Sequence, residues 1–249
     1  MKTRENIILL DEVDSTNSYL KERAGQFPDG TVVIARRQTC GRGRTGKTFV
    51  SADGGLYLSY LLNTGNLTVK DTISVTSKAA VAVSDAIFKA TGIRTQIKWV
   101  NDIILNSRKI CGILVDPGKF ENGIIPYVII GIGININQNN FPAEIGNIAS
   151  SFRLEVGREY DVGTIAEAII KELDNLSCNI HNDQDYIKRY RDNCCTIGRE
   201  ILFEREGEKI SAVAIGITDD YGLIVKYDDE IIDVLKAGEV SVRGIAGYV

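Results

Sequence analysis

The sequence is organised around residues 40–49, which read Cys40-Gly41-Arg42-Gly43-Arg44-Thr45-Gly46-Lys47-Thr48-Phe49. Seven consecutive residues in this stretch contain three cations and three glycines. Glycine lets the backbone come close to a ligand, and arginine offers a planar pair of donors that fits phosphate or carboxylate oxygens. A solvated basic turn is the alternative, but the interleaved glycines and the preceding apolar run Val32-Val33-Ile34-Ala35 favour a loop that binds an anion with several oxygens.

The same stretch also matches the phosphate-binding P-loop pattern, Gly41-x-x-x-x-Gly46-Lys47-Thr48. Asp116, at the end of a later apolar run, could then serve as the acidic residue that helps to hold magnesium. A P-loop needs a helix that starts at its Lys-Thr pair. Here Gly54 and Gly55 follow, each of which weakens a helix by about 1 kcal/mol, and the run over residues 56–62 predicts a strand. The P-loop interpretation is therefore disfavoured.

Composition is that of an ordinary globular protein. The chain has 249 residues, of which 44% are hydrophobic and 25% charged, enough to bury a sizeable core. A net charge of −4 argues against a general nucleic-acid binder. No run is long and apolar enough for a membrane span, and the N-terminal residues lack a signal-peptide pattern. We therefore expect a cytoplasmic protein that does not contact membranes.

Cysteine and histidine usage excludes some kinds of site. Five cysteines, an odd number without a secretion signal, indicate free thiols in a reducing compartment. There is no Cys-x-x-Cys pair, and His181 is the only histidine. Neither a zinc site nor a Ser/His/Asp triad is expected, and no protein-built metal site is predicted.

The rest of the chain alternates helical and strand patterns. The segment Asp14-Ser15-Thr16-Asn17 has the residue types of a helix N-cap and precedes a short helix, and capping alone would explain it. A longer helix is predicted over residues 69–91, with Gly92 in the place of a C′ glycine. Further helices are predicted over residues 162–178 and 186–192. The predicted strands cover residues 7–10, 31–35, 56–62, 110–115 and 127–137, with a strand, a sharp turn and a second strand over residues 96–105.

Two polar residues stand inside apolar runs. Lys98 lies beside the only tryptophan, Trp99, although lysine is rarely buried without a partner. The alternative is an edge-strand lysine whose amine reaches solvent. Asn135 lies in a run whose glycines allow a ligand or another backbone to come close, and its amide needs hydrogen-bond partners.

From about Thr196 the character of the sequence changes. Short strands are predicted over residues 200–203, 210–217, 222–227 and 230–235, separated by turn residues. This pattern is typical of a small antiparallel barrel of about 50 residues.

These motifs, in this order, resemble those of the biotin–protein ligases, or biotin–[acetyl-CoA-carboxylase] ligases, over nearly the whole chain. The motifs that carry the resemblance are Asp14-Ser15-Thr16-Asn17, Gln38 with Gly41-Arg42-Gly43-Arg44-x-Gly46-Lys47, Lys98-Trp99-x-Asn101-Asp102, Gly112-Ile113-Leu114-Val115, Gly131-Ile132-Gly133-Ile134-Asn135, and Ala237-Gly238-Glu239-Val240-Ser241-Val242-Arg243.

The resemblance implies an α/β (α+β) fold. A mixed-sheet, class II-synthetase-like catalytic domain would occupy residues 1–195, and a small SH3-like β-barrel would occupy residues 196–249. It also implies a reaction in two steps, with ATP and biotin as substrates and Mg²⁺ accompanying the triphosphate. The biotin carboxylate attacks the α-phosphate and gives biotinyl-5′-AMP and pyrophosphate. The amine of one lysine on a biotin carboxyl carrier protein then attacks the mixed anhydride.

The resemblance also implies roles for individual residues. Lys98 would bridge the biotin carboxylate and the α-phosphate, with Arg42 as the second catalytic cation. Biotin would be bound by Ser15, Thr16, Asn17, Gln38, Gly41, Arg42, Gly43, Arg44, Lys98 and Gly112. The nucleotide would be bound by Arg44, Lys47, Phe49, Asn101 and Asn135. The residues agree with this chemistry, because two anions must be brought together and these cations can offset their repulsion.

The chain departs from the usual pattern of the family at three positions. Phe49 stands where a tryptophan is usual, which keeps a stacking face but removes an indole donor. Val100 replaces a proline, so the turn has a less restricted backbone. Thr45 replaces a residue that is frequently basic. None of these changes touches the proposed catalytic cations, and we expect activity to survive.

Partners and alternatives follow from the same resemblance. A homodimer is expected as a habit of the family. Some members carry an N-terminal helix-turn-helix domain, for which the chain has no room before its first strand, so we expect no DNA binding. The alternatives are a lipoate–protein ligase of the same superfamily and a non-catalytic biotin-binding regulator. The proton acceptor for the acceptor lysine stays open, with Asp102 as one candidate.

Overall fold

The computed structural model of the protein describes residues 6–68, 71–118, 124–228, 230–236, 242–244 and 248. Its larger sheet has seven strands, which are β1 (Ile7–Val13), β2 (Val32–Gln38), β3 (Gly55–Leu67), β4 (Gln96–Lys98), β5 (Asp102–Leu105), β6 (Arg108–Pro117) and β7 (Ile125–Asn135). Their order across the sheet is β1-β2-β3-β7-β6-β5-β4. Only β1 and β2 pair in parallel, so the sheet is mixed, as predicted.

In the described part of the chain, the α-helices that accompany the sheets are α1 (Thr16–Arg23), α2 (Asp71–Thr91), α3 (Phe152–Val156), α4 (Val162–Cys178) and α5 (Asp183–Asn193). Side chains alternate between the two faces of a strand. Val32 therefore joins the main core, while Val33 packs with Leu20 of α1 on the opposite face. Helices α2 and α4 pack against each other over the main core, and α1 covers the other face beside β3 and β7.

The second sheet lies at the C-terminal end. Its strands are β8 (Glu200–Arg205), β9 (Glu208–Ile217), β10 (Leu223–Lys226), β11 (Ile232–Leu235) and β12 (Arg243–Gly244). All neighbouring pairs are antiparallel, in the order β11-β10-β9-β8-β12. A mixed α/β body with a small SH3-like sheet is the fold class predicted above. The motif over residues 237–241 lies outside the described residues.

Local sequence signals locate most elements. The long helix ends as predicted, with Gly92 at φ +75° and its N–H donating to Phe88; residues 69 and 70 of the predicted helix lie outside the described part. No helix follows Thr48, and the next regular element is β3, so the structural context of a P-loop is missing. The short helix α3 was not predicted, although Ser151 caps it in the usual way through its side chain.

Candidate functional site

One row of paired residues crosses the larger sheet and establishes where the site lies. Lys98 pairs with Asp102, Asp102 with Gly112, Gly112 with Gly133, and Gly133 with Tyr57. Residues paired directly across strands project from the same face of a sheet. A lysine, an aspartate and two glycines from four strands therefore share one face, which is the face covered by α1.

Glycines open a trough on this face. Ile129 is part of the core beneath α1, and Gly131 and Gly133 continue the same face at the next two alternate positions. A Cβ atom on Gly131 would lie 2.2 Å from Asn17 Oδ1, and one on Gly133 would lie 2.6 Å from the Phe49 ring. Only glycine leaves enough room at these two positions. The side chains of Asn17 and Phe49 therefore lie directly on the backbone of β7.

A small cavity of about 50 Å³ lies over this trough. Its polar end is formed by Ser15, Thr16, Asn17 and Gln38, all of which were predicted to contact biotin. Gln38 Oε1 accepts hydrogen bonds from the Thr16 backbone N–H at 2.9 Å and from its hydroxyl at 3.1 Å. Ser15 also caps α1. The segment predicted from capping residue types therefore both starts a helix and lines a cavity.

Asn17 connects the cavity to the sheet below it. Its amide donates to Asp116 Oδ2 at 3.0 Å, and its Oδ1 accepts from the Ser59 hydroxyl at 2.5 Å. Arg42 Nη1 lies 3.5 Å from the same oxygen of Asp116. Asp116 is therefore shared by a cavity residue and by the first arginine of the basic loop. Asp116 was considered only as a magnesium residue of the disfavoured P-loop, and Ser59 was not predicted, because only strand pairing brings the two beneath Asn17.

The basic loop is folded against itself and against the sheet. Gln38 pairs with Ser51, and Arg42 pairs with Thr48, as isolated bridges. A 3-10 turn over residues 44–46 closes the loop. A Cβ atom on Gly41 would lie 2.3 Å from the Phe49 carbonyl oxygen, so this position requires glycine.

The second arginine of the loop points inward. Arg44 Nη1 donates to Asn101 Oδ1 at 3.1 Å, and the Asn101 amide donates to the Ile113 carbonyl at 2.8 Å. Burial lowers the pKa of Arg44, and the charge of Asp102 opposes this effect. Arg44 is thus a partly desolvated cation, held by the turn between β4 and β5.

A larger cavity of about 490 Å³ adjoins the small one. Ligand pockets commonly measure about 300–1,000 Å³. The predicted nucleotide residues Arg44, Lys47, Phe49, Asn101 and Asn135 all line it. Five residues line both cavities, and they are Gly43, Arg44, Phe49, Asn101 and Lys109.

Lys109 is a cation of the site that sequence reasoning missed. The pairing of β5 with β6 shifts between Ile103, opposite Cys111, and Ile104, opposite Lys109. An extra residue in one strand re-aims the side chains beyond it. Strict alternation would place Lys109 on the core face with Cys111, whereas the observed ammonium lies 3.1 Å from the position of a Cβ on Gly112, on the cavity face.

Asp102 holds this lysine in place. Its Oδ1 lies 2.7 Å from Lys109 Nζ, and the Asp102 side chain is 14% exposed. Burial raises the pKa of Asp102, but the Lys109 ammonium, the Tyr248 hydroxyl and Lys98 more than offset the burial, so the pKa lies below its ordinary value. Asp102 is therefore an ionised partner of cations and a weak proton acceptor.

Lys98 ends β4, and its predicted role between biotin and the α-phosphate stays a prediction. It is 4% exposed, so it is buried rather than extended to solvent. It lines the larger cavity but not the small one, and its Nζ lies 3.5 Å from the centre of the Tyr248 ring. Lys109 lines both cavities and is a further cation of the site.

Phe49 separates the two cavities. Its ring lies on Gly133 and within 3.2 Å of a Cβ position on Gly112. The ring therefore covers the floor of the trough as well as facing the larger cavity.

The side chain of Asn135 makes one hydrogen bond through its amide, whereas its carbonyl oxygen has no partner within the described residues. Its amide donates to the Ser150 carbonyl at 3.0 Å. Its Oδ1 is buried and has no hydrogen-bond partner within the described part of the chain. A buried acceptor without a partner is costly, and this one lies in the wall of the larger cavity.

The described residues contain no group of three or more His, Cys, Asp or Glu side chains arranged to hold a metal ion. Nor does any helix in the described ranges have the length and apolar character needed to cross a membrane.

Two family models match the chain. Residues 9–135 match the model described as "Biotin/lipoate A/B protein ligase family", and residues 196–243 match "Biotin protein ligase C terminal domain".

Similar proteins include the bifunctional ligase/repressor BirA of Bacillus subtilis, which is 38% identical over 192 residues, 76% of this chain and 54% of that protein. The chain thus spans about half the length of this curated relative. The biotin–[acetyl-CoA-carboxylase] ligase of Mycobacterium tuberculosis is 29% identical, with 92% of this chain and 86% of that protein covered. A solved structure of the biotin protein ligase from Aquifex aeolicus, in complex with biotin and ATP, superposes with a TM-score of 0.82 at 30% identity, covering 97% of this chain and 100% of that one.

Proposed function

Because the chain belongs to the biotin/lipoate A/B protein ligase family, we propose that it is an ATP-dependent biotin–protein ligase. It activates biotin as biotinyl-5′-AMP with release of pyrophosphate. It then transfers the biotinyl group to a specific lysine of a biotin carboxyl carrier protein.

The similar proteins support biotin as the acid. The ligase of M. tuberculosis is named for biotin and acetyl-CoA carboxylase, and the A. aeolicus structure contains biotin and ATP. The first family model spans biotin and lipoate ligases alike, whereas the model matched by residues 196–243 is specific to biotin protein ligases. This second match favours biotin over lipoate.

The observation that carries the proposal is the junction of the two cavities. The small cavity has a hydrogen-bonding end suited to a polar head group, and the larger one has the size of a nucleotide site. Arg44 and Lys109 line both cavities. A carboxylate from one side and an α-phosphate from the other would meet at these two cations.

In the first step the residues act by neutralising and positioning charge. A biotin carboxylate oxygen bonds to the α-phosphorus, and the bond to the pyrophosphate oxygen breaks. Lys109 and Arg44 would bind oxygens of both reactants, Arg42 would close over the acid, and Lys98 and Lys47 would face the phosphates. Each charge-assisted hydrogen bond is worth about 1.5–3 kcal/mol, and orientation of the two reactants can remove about 7–11 kcal/mol of the barrier.

In the second step the amine of the acceptor lysine attacks the acyl carbon of the mixed anhydride, and AMP leaves. The enzyme need not supply a nucleophile. Asp102 is a poor candidate for the proton acceptor, because it is paired with Lys109 and its pKa lies below the ordinary value. We propose that the leaving phosphate or water takes the proton, and that Asp102 orients the cations.

Mg²⁺ would arrive with the triphosphate. Magnesium is usually bound by one or two carboxylates together with substrate phosphates and water. Asp102 is the one described carboxylate among the residues that line the larger cavity, which fits an ion carried by ATP rather than a site built by the protein. The ion would neutralise phosphate charge and favour departure of pyrophosphate.

The test is to incubate the protein with ATP, Mg²⁺ and a biotin carrier domain, with and without biotin, and to determine the mass of the carrier. A biotin-dependent gain of one biotinyl group is the expected result. A gain with lipoate alone would identify the sister activity. Biotin binding without any transfer would identify a regulator, and ATP hydrolysis independent of biotin would favour a P-loop-like activity.

Two expectations about assembly stay predictions. A homodimer would be seen as twice the chain mass in light scattering after size exclusion. Absence of DNA binding would be seen as no shift of duplex DNA at low salt.

A further inference from the structure

One residue from the C-terminal end of the chain, Tyr248, contacts Lys98 directly and Lys109 through Asp102. The ring of Tyr248 lies over Lys98, with 3.5 Å between the ring centre and Nζ. Its hydroxyl donates a hydrogen bond to Asp102 Oδ2. The other oxygen of Asp102 holds Lys109 at 2.7 Å. Tyr248 is thus in contact with one cation directly and with the other through a carboxylate.

Tyr248 lies in the wall of the larger cavity. Tyr248 lines the larger cavity together with Lys98, Asp102 and Lys109. Asp102 is 146 residues away along the chain. The contact therefore joins the C-terminal end to the start of β5, beside Lys98 at the end of β4.

We propose that Tyr248 is a positioning residue for the adenylation step, which holds Lys98 under its ring and orients Asp102, and thereby Lys109, through its hydroxyl. The proposal rests on the proposed function. Its consequence is that the charges that act on the acid and the α-phosphate are in place only when the C-terminal end is docked on the sheet.

The two contacts have separate physical roles. The face of an aromatic ring attracts an ammonium and shields it from water, so Lys98 keeps one orientation. A carboxylate can accept on both oxygens, and the Tyr248 hydroxyl on Oδ2 leaves Oδ1 directed at Lys109. Tyr248→Phe removes only the second contact, and Tyr248→Leu removes both.

The first experiment measures the contact without using the reaction. Lysines of the folded protein are labelled by trace acetylation, and the extent of labelling of each lysine is read by mass spectrometry. Tyr248→Leu should raise the labelling of Lys98 by about threefold or more, because the ring no longer covers the amine. Tyr248→Phe should leave it near the wild-type value. Equal labelling of Lys98 in the wild type and in Tyr248→Leu would overturn the proposal.

The matched control is Tyr227, whose hydroxyl binds Asp233 at 3.0 Å within the C-terminal sheet, away from both cavities. Tyr227→Phe and Tyr227→Leu should not alter Lys98 labelling.

The second experiment measures biotin-dependent pyrophosphate release. Tyr248→Leu should lower kcat about tenfold or more, the scale of a desolvated cation–aromatic contact, while KM for biotin changes less than about threefold. Tyr248→Phe should recover only part of kcat, because it restores the ring over Lys98 but not the hydrogen bond to Asp102. A kcat of Tyr248→Leu equal to that of Tyr227→Leu would overturn the positioning role. If the wild-type protein releases no pyrophosphate with biotin, the proposed function fails, and the labelling experiment still decides whether Tyr248 holds Lys98.

Discussion

At the scale of single residues, the site depends on pairs of opposite charge that leave cations facing the cavities. Asp102 and Asp116 each accept from a cation, Lys109 and Arg42 respectively. Without these carboxylates, the cations would repel one another and turn to solvent. A buried charge that loses its partner is costly, so each pair serves both the fold and the site.

Lys109→Ala should lower biotin adenylation about 10- to 150-fold, the kinetic equivalent of one charge-assisted hydrogen bond of about 1.5–3 kcal/mol. The reason is that Lys109 lines both cavities, whereas Lys98 lines one. The measurement is biotin-dependent pyrophosphate release at saturating ATP. Lys89→Ala is the matched control, since Lys89 also binds a carboxylate, Glu172, at 2.7 Å on the outer surface. Equal rates for the two variants would refute the role of Lys109.

Asp116→Asn should weaken biotin binding about 5- to 10-fold, because Asn17 and Arg42 lose the charged oxygen that holds them. Isothermal titration with biotin measures the change. Asp53→Asn removes a comparable arginine partner, that of Arg36, on the exposed side of the loop. The Asp53→Asn variant should bind biotin with the affinity of the wild type. A similar loss of biotin affinity in both variants would point to a general effect of loop charge and contradict the role of Asp116.

At the scale of elements, the glycines of β6 and β7 form the trough because they lie on the same face of the sheet. Gly131 and Gly133 lie on one face, and Gly112 lies opposite Gly133 on the neighbouring strand. The intervening residues Ile130 and Ile132 are buried in the main core. The same two strands thus place apolar side chains on one face of the sheet, and their glycines leave room for a ligand on the other face.

Gly133→Ala should lower biotin affinity at least about tenfold, because the new Cβ would lie 2.6 Å from the Phe49 ring and fill the trough. Titration with biotin and the thermal midpoint together distinguish a blocked site from an unfolded one. Gly25→Ala is the control, since no atom lies within 4 Å of its Cβ position. Wild-type affinity of Gly133→Ala would show that biotin does not use this trough.

At the scale of the whole molecule, hydrogen bonds tie the C-terminal sheet to the turn after β4 and to helix α5. Trp99 Nε1 donates to the Tyr221 carbonyl at 2.9 Å, and Arg191 Nε donates to the Ile217 carbonyl at 2.8 Å. Trp99 follows Lys98 directly in the chain. The turn that carries the site is therefore also the surface on which the C-terminal sheet rests.

Arg191→Ala should lower the free energy of unfolding by about 1–3 kcal/mol, since the Ile217 carbonyl loses its donor and Asp219 loses its partner. Urea unfolding, monitored by circular dichroism, gives the free energy of unfolding of the whole chain. The fluorescence of the only tryptophan, Trp99, reports the contact between the sheets. Arg158→Ala removes an exposed arginine that contacts Tyr160 and should change neither signal. A fluorescence transition of Arg191→Ala that coincides with that of the wild type would contradict the prediction.

Local patterns identified the segments that line the two cavities, and the family resemblance that they carry predicted the fold class. The basic loop, the capping segment before α1 and the glycines of β7 could be recognised because their backbone conformations depend on residues close in the chain. The family assignment was confirmed by the match over residues 9–135. The roles of the individual site residues stay predictions, although all of them except Gly41 line at least one of the two cavities.

Other parts of the site depend on contacts between residues far apart in the chain. Lys109 faces the cavity because a bulge shifts the pairing of β5 and β6. Asp116 and Ser59 meet Asn17 because β3, β7 and β6 are neighbours in the sheet, and Tyr248 reaches Lys98 because the C-terminal end returns to the sheet. A side chain's direction is set by strand register and tertiary docking, and neither is encoded in the few residues on either side of it.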